Sequence, residues 1–168
     1  MDKSALYRLS YGVYIITAKE DDKMSGCTAN AAMQITSEPK TIAVSINREN
    51  YTHEVIDRTG RFAISILAQD GDTKLIGKFG FMSSRDRDKF AGVDYIMVDE
   101  LPVLTGCCGY LTCKVVDRME ASTHTVFLGE ILTYDTEGTT KETPLTYDYY
   151  HKVLKGKSPK TAPTYVED

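Results

Sequence analysis

Five groups of residues in this chain have the types and spacing for chemistry. The first is the run Lys23-Met24-Ser25-Gly26-Cys27-Thr28-Ala29-Asn30-Ala31-Ala32-Met33, with small, hydroxyl and amide side chains where a core strand normally carries bulk. Cys27, Ala29 and Ala31 leave their backbone N–H groups unshielded, while Thr28 and Asn30 add a hydroxyl and an amide. Together they suit the edge of a flat polar ligand. The second group, Ser45, Asn47, Arg48 and Thr52, runs from the polar face of a strand into a helix start. Backbone N–H groups there attract an anion, and a nearby Arg or Thr strengthens the attraction. The third is Arg85, Arg87 and Lys89, interleaved with Asp86 and Asp88. The fourth is His124, between Thr123 and Thr125, which can donate a hydrogen bond or carry a proton. The fifth is Tyr147-Asp148-Tyr149-Tyr150-His151, an aromatic cluster able to cover a planar ligand.

Each group also has a plainer reading. The first is equally a polar connection between strands, and Asn50 and Thr52 can simply cap a helix. Charges of alternating sign usually mark a solvated helix face. A strand histidine is often structural, and the late aromatic cluster can be a strap that docks the tail. On the residues alone, both readings of every group stand.

The elements that must position these residues are mostly strands. Leu6 to Ala18 enters a first strand that is apolar on both faces, as in a barrel or sandwich core. Glu20-Asp21-Asp22-Lys23 is a polar turn, and the small-residue run then forms a second strand and loop that continues through Gln34-Ile35-Thr36 to the break at Ser37-Glu38-Pro39-Lys40. Thr41 to Asn47 alternates Ile42, Val44 and Ile46 against Ala43, Ser45 and Asn47, giving one core face and one small, polar face. Asn50 caps a helix through Arg58, and Arg61 to Leu67 returns to period two. A second helix fits Asp72 to Phe79, and the Ser83/Asp86 spacing predicts a third short helix ending at Gly92. Tyr95 to Val98 is a short strand, Leu101-Pro102-Val103 a break, and Gly109–Arg118 with Thr123–Tyr134 a long antiparallel pair. The expected architecture is mainly β, an antiparallel barrel with a few short helices over its ends, in one domain spanning 1–168 with 137–168 as an extended tail.

Composition narrows the function. The 168 residues carry a net charge of −4, which supplies no basic field for nucleic acid. No apolar run reaches the length of a membrane span, and Met1-Asp2-Lys3-Ser4 has no signal-peptide character, so a cytoplasmic protein is expected. Cys27, Cys107, Cys108 and Cys113 fit neither a disulfide framework nor zinc spacing, so no metal site is expected. Neither a Rossmann nor a P-loop glycine pattern occurs, so a bound nucleotide would be held by other means. A flavin would need an edge of donors and acceptors, a phosphate pocket and an open ring face, and the first and second groups are candidates for the first two of these.

The order of segments resembles the flavin reductase-like family of FMN-binding split barrels, on the branch of flavoredoxin and the flavoprotein module of high-molecular-weight rubredoxins. The matching residues are Tyr11-Gly12-Val13-Tyr14-Ile15-Ile16-Thr17, Gly26 to Ala31, Val44-Ser45-Ile46-Asn47-Arg48 and Tyr51-Thr52-His53. Asp86-Arg87-Asp88-Lys89-Phe90, His124 to Glu130 and Tyr150-His151-Lys152 complete the set. The resemblance implies a homodimeric split β-barrel with FMN near the subunit interface. It implies that Thr28 and Asn30 contact the ring and ribityl chain, Thr52 and Lys89 the phosphate end, and Tyr150 the region over the cofactor, with Cys27, Ala29, Ser45, Asn47 and Arg48 completing the pocket. It also implies that His124 sits near the nicotinamide of NAD(P)H. Many members carry an acid before that histidine. This chain has Thr123, so the residue that would orient or charge the imidazole is missing. The implied activity is redox chemistry through bound FMN, with NAD(P)H or a carrier such as rubredoxin or ferredoxin as donor. The alternative is a non-redox flavin sensor or store.

Overall fold

A computed structural model describes residues 3–158 and 160. After a 3-10 helix at Lys3–Arg8, the chain forms β1 (Tyr14–Glu20), β2 (Lys23–Ala29), β3 (Ala32–Ser37) and β4 (Lys40–Asn47). Then come α1 (Tyr51–Thr59), β5 (Arg61–Leu67) and α2 (Lys74–Gly80). The remainder is β6 (Tyr95–Val98), β7 (Leu101–Leu104), β8 (Cys107–Glu120), β9 (His124–Asp135) and α3 (Tyr147–Lys152). Seven strands make one antiparallel sheet in the order β2-β1-β5-β8-β9-β4-β3, and β6 pairs with β7 apart from it.

The sheet curls until its two ends share a core. Cys27 from β2 and Ile42, Val44 and Ile46 from β4 bury into one apolar cluster with Ile16, Phe62, Ile64 and Phe127. β2 and β3 nevertheless do not pair with each other and form the two edges, so the barrel is split rather than closed. Val55 and Ile56 of α1 join this cluster from one end. A second cluster, with Val13, Ile15, Ile76, Phe79, Phe90 and Tyr150, lies beneath α2 and the tail. β1 serves both clusters, which is why it is buried on both faces.

The alternation of β4 and the Asn50 cap are as expected, Asn50 Oδ1 accepting from Thr52 N at 2.9 Å. The long pair is also present as β8 and β9. Four expectations are corrected. The first strand starts only at Tyr14, because the chain before it coils into the 3-10 helix and a short connection. The expected third helix, 83–92, is a series of turns. Ser83 Oγ does accept from Arg85 N at 3.1 Å, but Ser84 and Lys89 reach back to β2 and Asp88 Oδ1 caps Phe90 N at 2.8 Å, so side-chain bonds replace a helical ladder. Leu101-Pro102-Val103 is not a break but part of β7, where Thr17 Oγ1 donates to Pro102 O at 2.5 Å. Finally, the tail is not simply extended between 138 and 158, while 159 and 161–168 of the expected tail lie outside the described residues. Pro144 bridges to Ala68 and Thr146 to Gly12, and α3 follows, its start capped by Thr146.

Candidate functional site

A cleft opens where the end of β2, the polar face of β4, the start of β9, the end of α2 and the tail converge. It encloses about 770 Å³, its solvent-open mouth included. Cys27, Thr28, Ala29 and Asn30 form one wall, and Ser45 and Asn47 another. His124 stands opposite Asn47 in the β4–β9 register, and Tyr150 lies on the tail side.

The first wall is locked from behind. Gly26 N donates to Ser84 Oγ at 3.1 Å, and Gly26 O accepts from Lys89 Nζ at 2.8 Å and from Ser84 Oγ at 3.3 Å. Lys89 Nζ also donates to Phe79 O at 2.9 Å, so one ammonium ties α2 to β2. Only glycine fits at position 26, since a Cβ there would lie 2.7 Å from the Phe79 ring. Thr28 Oγ1 adds a second tie to α2, donating to Ile76 O at 3.1 Å. The small residues that the sequence places here thus serve close packing behind the wall as well as access in front of it.

Burial sets the protonation of this region. Burial drives the Lys89 ammonium down to about 8, with the adjacent Cys27 group acting in the opposite sense. The Cys27 thiol is pushed by burial up to about 11, against the pull of Lys89 and the Thr52 hydroxyl, and it stays protonated at neutral pH. Cys27 therefore lines the cleft as a small neutral group, not as a nucleophile.

On the far wall, the neutral amides are partly committed. Asn47 Oδ1 accepts from Glu49 N at 2.8 Å and Asn50 Oδ1 from Thr52 N at 2.9 Å, so both amides hold the turn into α1. His124 Nδ1 is 2.8 Å from Thr123 Oγ1. Thr123 thus supplies an orienting contact in place of an acid, and only the negative charge is missing. Burial, then the like charge of His53, holds the His124 imidazole below its usual range, so the ring is neutral at pH 7. His53 is held beside it by Thr125 Oγ1 at 2.7 Å and by the Phe127 ring, 5.1 Å between centroids.

Of the eleven residues named from the sequence, eight line this cleft: Cys27, Thr28, Ala29, Asn30, Ser45, Asn47, His124 and Tyr150. Arg48, Thr52 and Lys89 do not. Arg48 pairs with Glu120 and donates to Ala121 O at 3.5 Å across the β8–β9 connection. Thr52 is fully buried, its hydroxyl next to the Cys27 thiol and without a nitrogen or oxygen partner. Lys89 is 2% exposed and donates to two backbone carbonyls, behind the wall rather than along the cleft. Sequence reasoning missed Phe81, Lys157 and Ser158, which also line the cleft. Phe81 follows a helix end and the other two lie in a polar tail, positions where neither period nor motif points inward.

The donors, the small-residue wall, the aromatic side and the neutral histidine fit a flavin. A flavin reductase-like domain model matches residues 6–153. The chain is 47% identical over 167 residues to a high molecular weight rubredoxin of Moorella thermoacetica, covering 98% of this chain and 72% of that protein. It is 39% identical over 169 residues to a ferric-chelate reductase (NAD(P)H) of Archaeoglobus fulgidus, covering 99% of each. In fold it resembles the crystal structure of flavoredoxin from Methanosarcina acetivorans, with a TM-score of 0.73 at 23% identity over 82% of this chain and 79% of that one. With a family model spanning most of its length, and with relatives this similar, the chain belongs to the flavin reductase-like domain family and its function is flavin redox chemistry.

Proposed function

We propose that the cleft holds flavin mononucleotide and that the protein passes electrons from NAD(P)H or a reduced carrier protein, such as a rubredoxin or ferredoxin, to an acceptor. When bound, the flavin supplies the redox chemistry that no side chain offers, including exchange between two-electron and one-electron partners. The chain's own residues bind and orient. The backbone of Cys27 to Asn30, with Thr28 and Asn30, holds the ring edge and ribityl chain, and Ser45, Asn47 and Asn50 supply neutral donors on the facing wall. Lys89 and Thr52 hold that first wall from behind, and Arg48 fixes the loop beside the second. Tyr150 covers the tail side and excludes water. His124, neutral and oriented by Thr123, holds the nicotinamide or a proton near the reacting face.

The observation that supports this most is the convergence of these neutral donors and His124 on one cleft backed by a buried lysine. A carrier-fed relay is the second reading, favoured by the absence of an acid before His124 and by the likeness to the high molecular weight rubredoxin. Anaerobic mixing separates them: bleaching by NADH or NADPH supports direct reduction, and bleaching only by a reduced carrier supports the relay. Bound flavin that neither donor reduces would favour storage.

The proposal includes a homodimer. Met33 and Ile35 on edge strand β3, Val116 and Met119 on β8 and Leu132 on β9 stay exposed, Met33 at 66% and Met119 at 62%. A monomeric mass in light scattering at working concentration would rule the dimer out. A cytoplasmic location is also proposed, supported by four cysteines that are all unpaired. No helix among the described residues is long and apolar enough to cross a membrane.

A further inference from the structure

The hairpin that carries His124 is held by a chain of bonds running away from the cleft. Glu120 at the end of β8 stands opposite Thr125 in β9, and Ala121 N donates to His124 O at 2.8 Å across the turn. Arg48, the residue after β4, brackets that turn. Its backbone N donates to Thr123 O at 3.0 Å, and its guanidinium donates to Ala121 O at 3.5 Å and to the Glu120 carboxylate. Glu120 Oε2 also accepts from Thr125 Oγ1 at 3.3 Å, while Oε1 lies 3.7 Å from Nε of Arg118, which pairs in turn with Asp57 of α1. Thr125 Oγ1 is 2.7 Å from His53 Nε2. One carboxylate thereby links β8, β9, α1 and the end of β4 beside His124.

The chain has a direction set by its protons. A carboxylate between two guanidinium groups only accepts, so the single hydroxyl proton of Thr125 goes to Glu120. The Thr125 oxygen is left to accept, and its donor is His53 Nε2–H. Burial holds the His53 imidazole below its usual range against the pull of Glu120, so the ring is neutral at pH 7 and is fixed as the Nε2–H tautomer. Thr125 is completely buried, so its hydroxyl has no water to turn to when Glu120 is removed. Successive residues of a strand point to opposite faces. Thr125 accordingly meets α1 while His124 lines the cleft, and bonds on one face fix the backbone that presents the ring on the other. The Arg48–Glu120 pair is 46% and 47% exposed, too open to contribute much stability, so what it supplies is geometry.

Resting on the reading of His124 given above, we propose that Glu120 is a positioning residue for flavin reduction: it locks the β8–β9 hairpin through Arg48 and Thr125, so that the His124 ring keeps its place in the cleft as the nicotinamide arrives. Glu120→Ala removes the acceptor, whereas Glu120→Gln keeps an oxygen for Thr125 and Arg48.

In Glu120→Ala the stranded Thr125 hydroxyl turns to donate to His53 Nε2, and imidazole nitrogen resonances report a switch of His53 to the Nδ1–H tautomer. Hydrogen exchange at the Arg48 and Ala121 amides, which bond across the turn, speeds up about tenfold. The second-order rate constant for anaerobic reduction of the flavin-loaded protein by NADH or NADPH falls about fivefold, with flavin affinity unchanged. Glu120→Gln keeps the wild-type tautomer and restores the rate to within about twofold. In a His124→Ala background Glu120→Ala slows reduction no further, an outcome that a general loss of stability would not produce. An unchanged His53 tautomer with unchanged amide exchange in Glu120→Ala, or the same fivefold loss with His124 absent, overturns the proposal. Wild-type protein that neither NADH nor NADPH reduces, or whose reduction His124→Ala leaves unaltered, refutes instead the reading of His124 on which it rests.

Discussion

Replacing Lys89 with methionine separates a supporting lysine from a phosphate-binding one. Methionine keeps the length of the stem and removes the ammonium that donates to Gly26 O at 2.8 Å and Phe79 O at 2.9 Å. Charge-assisted hydrogen bonds contribute about 1.5–3 kcal/mol each, but burial of the ammonium, seen in its pKa of about 8, offsets part of that. Gly26 O also keeps Ser84 Oγ at 3.3 Å. The net cost expected at pH 7 is about 1–2 kcal/mol in urea unfolding. Loosening the wall by a similar amount raises the dissociation constant for flavin about tenfold, and equally for FMN and riboflavin if, as proposed, the wall meets the ring rather than the phosphate. The pH dependence adds a second readout. The folded group titrates near 8 and an unfolded lysine near 10.5, so between these values the unfolded chain binds more protons. Stability contributed by this group therefore rises with pH across that window and is lost as pH falls through 8, and the rise should vanish in Lys89→Met. A loss confined to FMN, with riboflavin binding intact, would refute the supporting role, as would unchanged stability and unchanged binding.

Three further outcomes follow from the same geometry. Thr123→Asp should raise the His124 pKa by placing a carboxylate at Nδ1, and Thr123→Val should loosen the ring without charging it; histidine proton resonances followed against pH report both. Cys27 should resist alkylation by iodoacetamide at pH 8 in the native protein and react only on unfolding, because its buried thiol titrates near 11. Stability should fall as pH drops below about 6.5, since His53 and His124 are both held below that value and the unfolded chain takes up protons first; His53→Gln should reduce the slope seen by circular dichroism.

The sequence made the strands of the barrel legible where period and burial agree. β4 alternates cleanly because one face meets the core and the other the cleft, and β1 is apolar on both faces because two clusters use it. Local signals failed where tertiary bonds override them. The Ser83/Asp86 spacing is a true capping pattern, but Ser84 and Lys89 are drawn to Gly26, and no helix forms. Pro102 reads as a breaker, yet it occupies a two-stranded hairpin whose carbonyl accepts from Thr17. In the site, residues on strand faces could be named because alternation fixes where they point. The basic residues could not be placed this way: nothing in Arg48 or Lys89 says that one pairs with Glu120 and the other with backbone. Thr123 illustrates the same limit, since a hydroxyl read as the loss of an acid retains the hydrogen bond to His124.

Flavin redox chemistry in this cleft is tested by an anaerobic titration of the purified protein, with flavin content determined first and absorbance followed as NADH, NADPH or a reduced rubredoxin is added. The expected result is yellow protein with FMN bound in the cleft, bleached by at least one of these donors, and bleached more slowly by NAD(P)H in His124→Ala. Colourless protein that also fails to take up added FMN would contradict it.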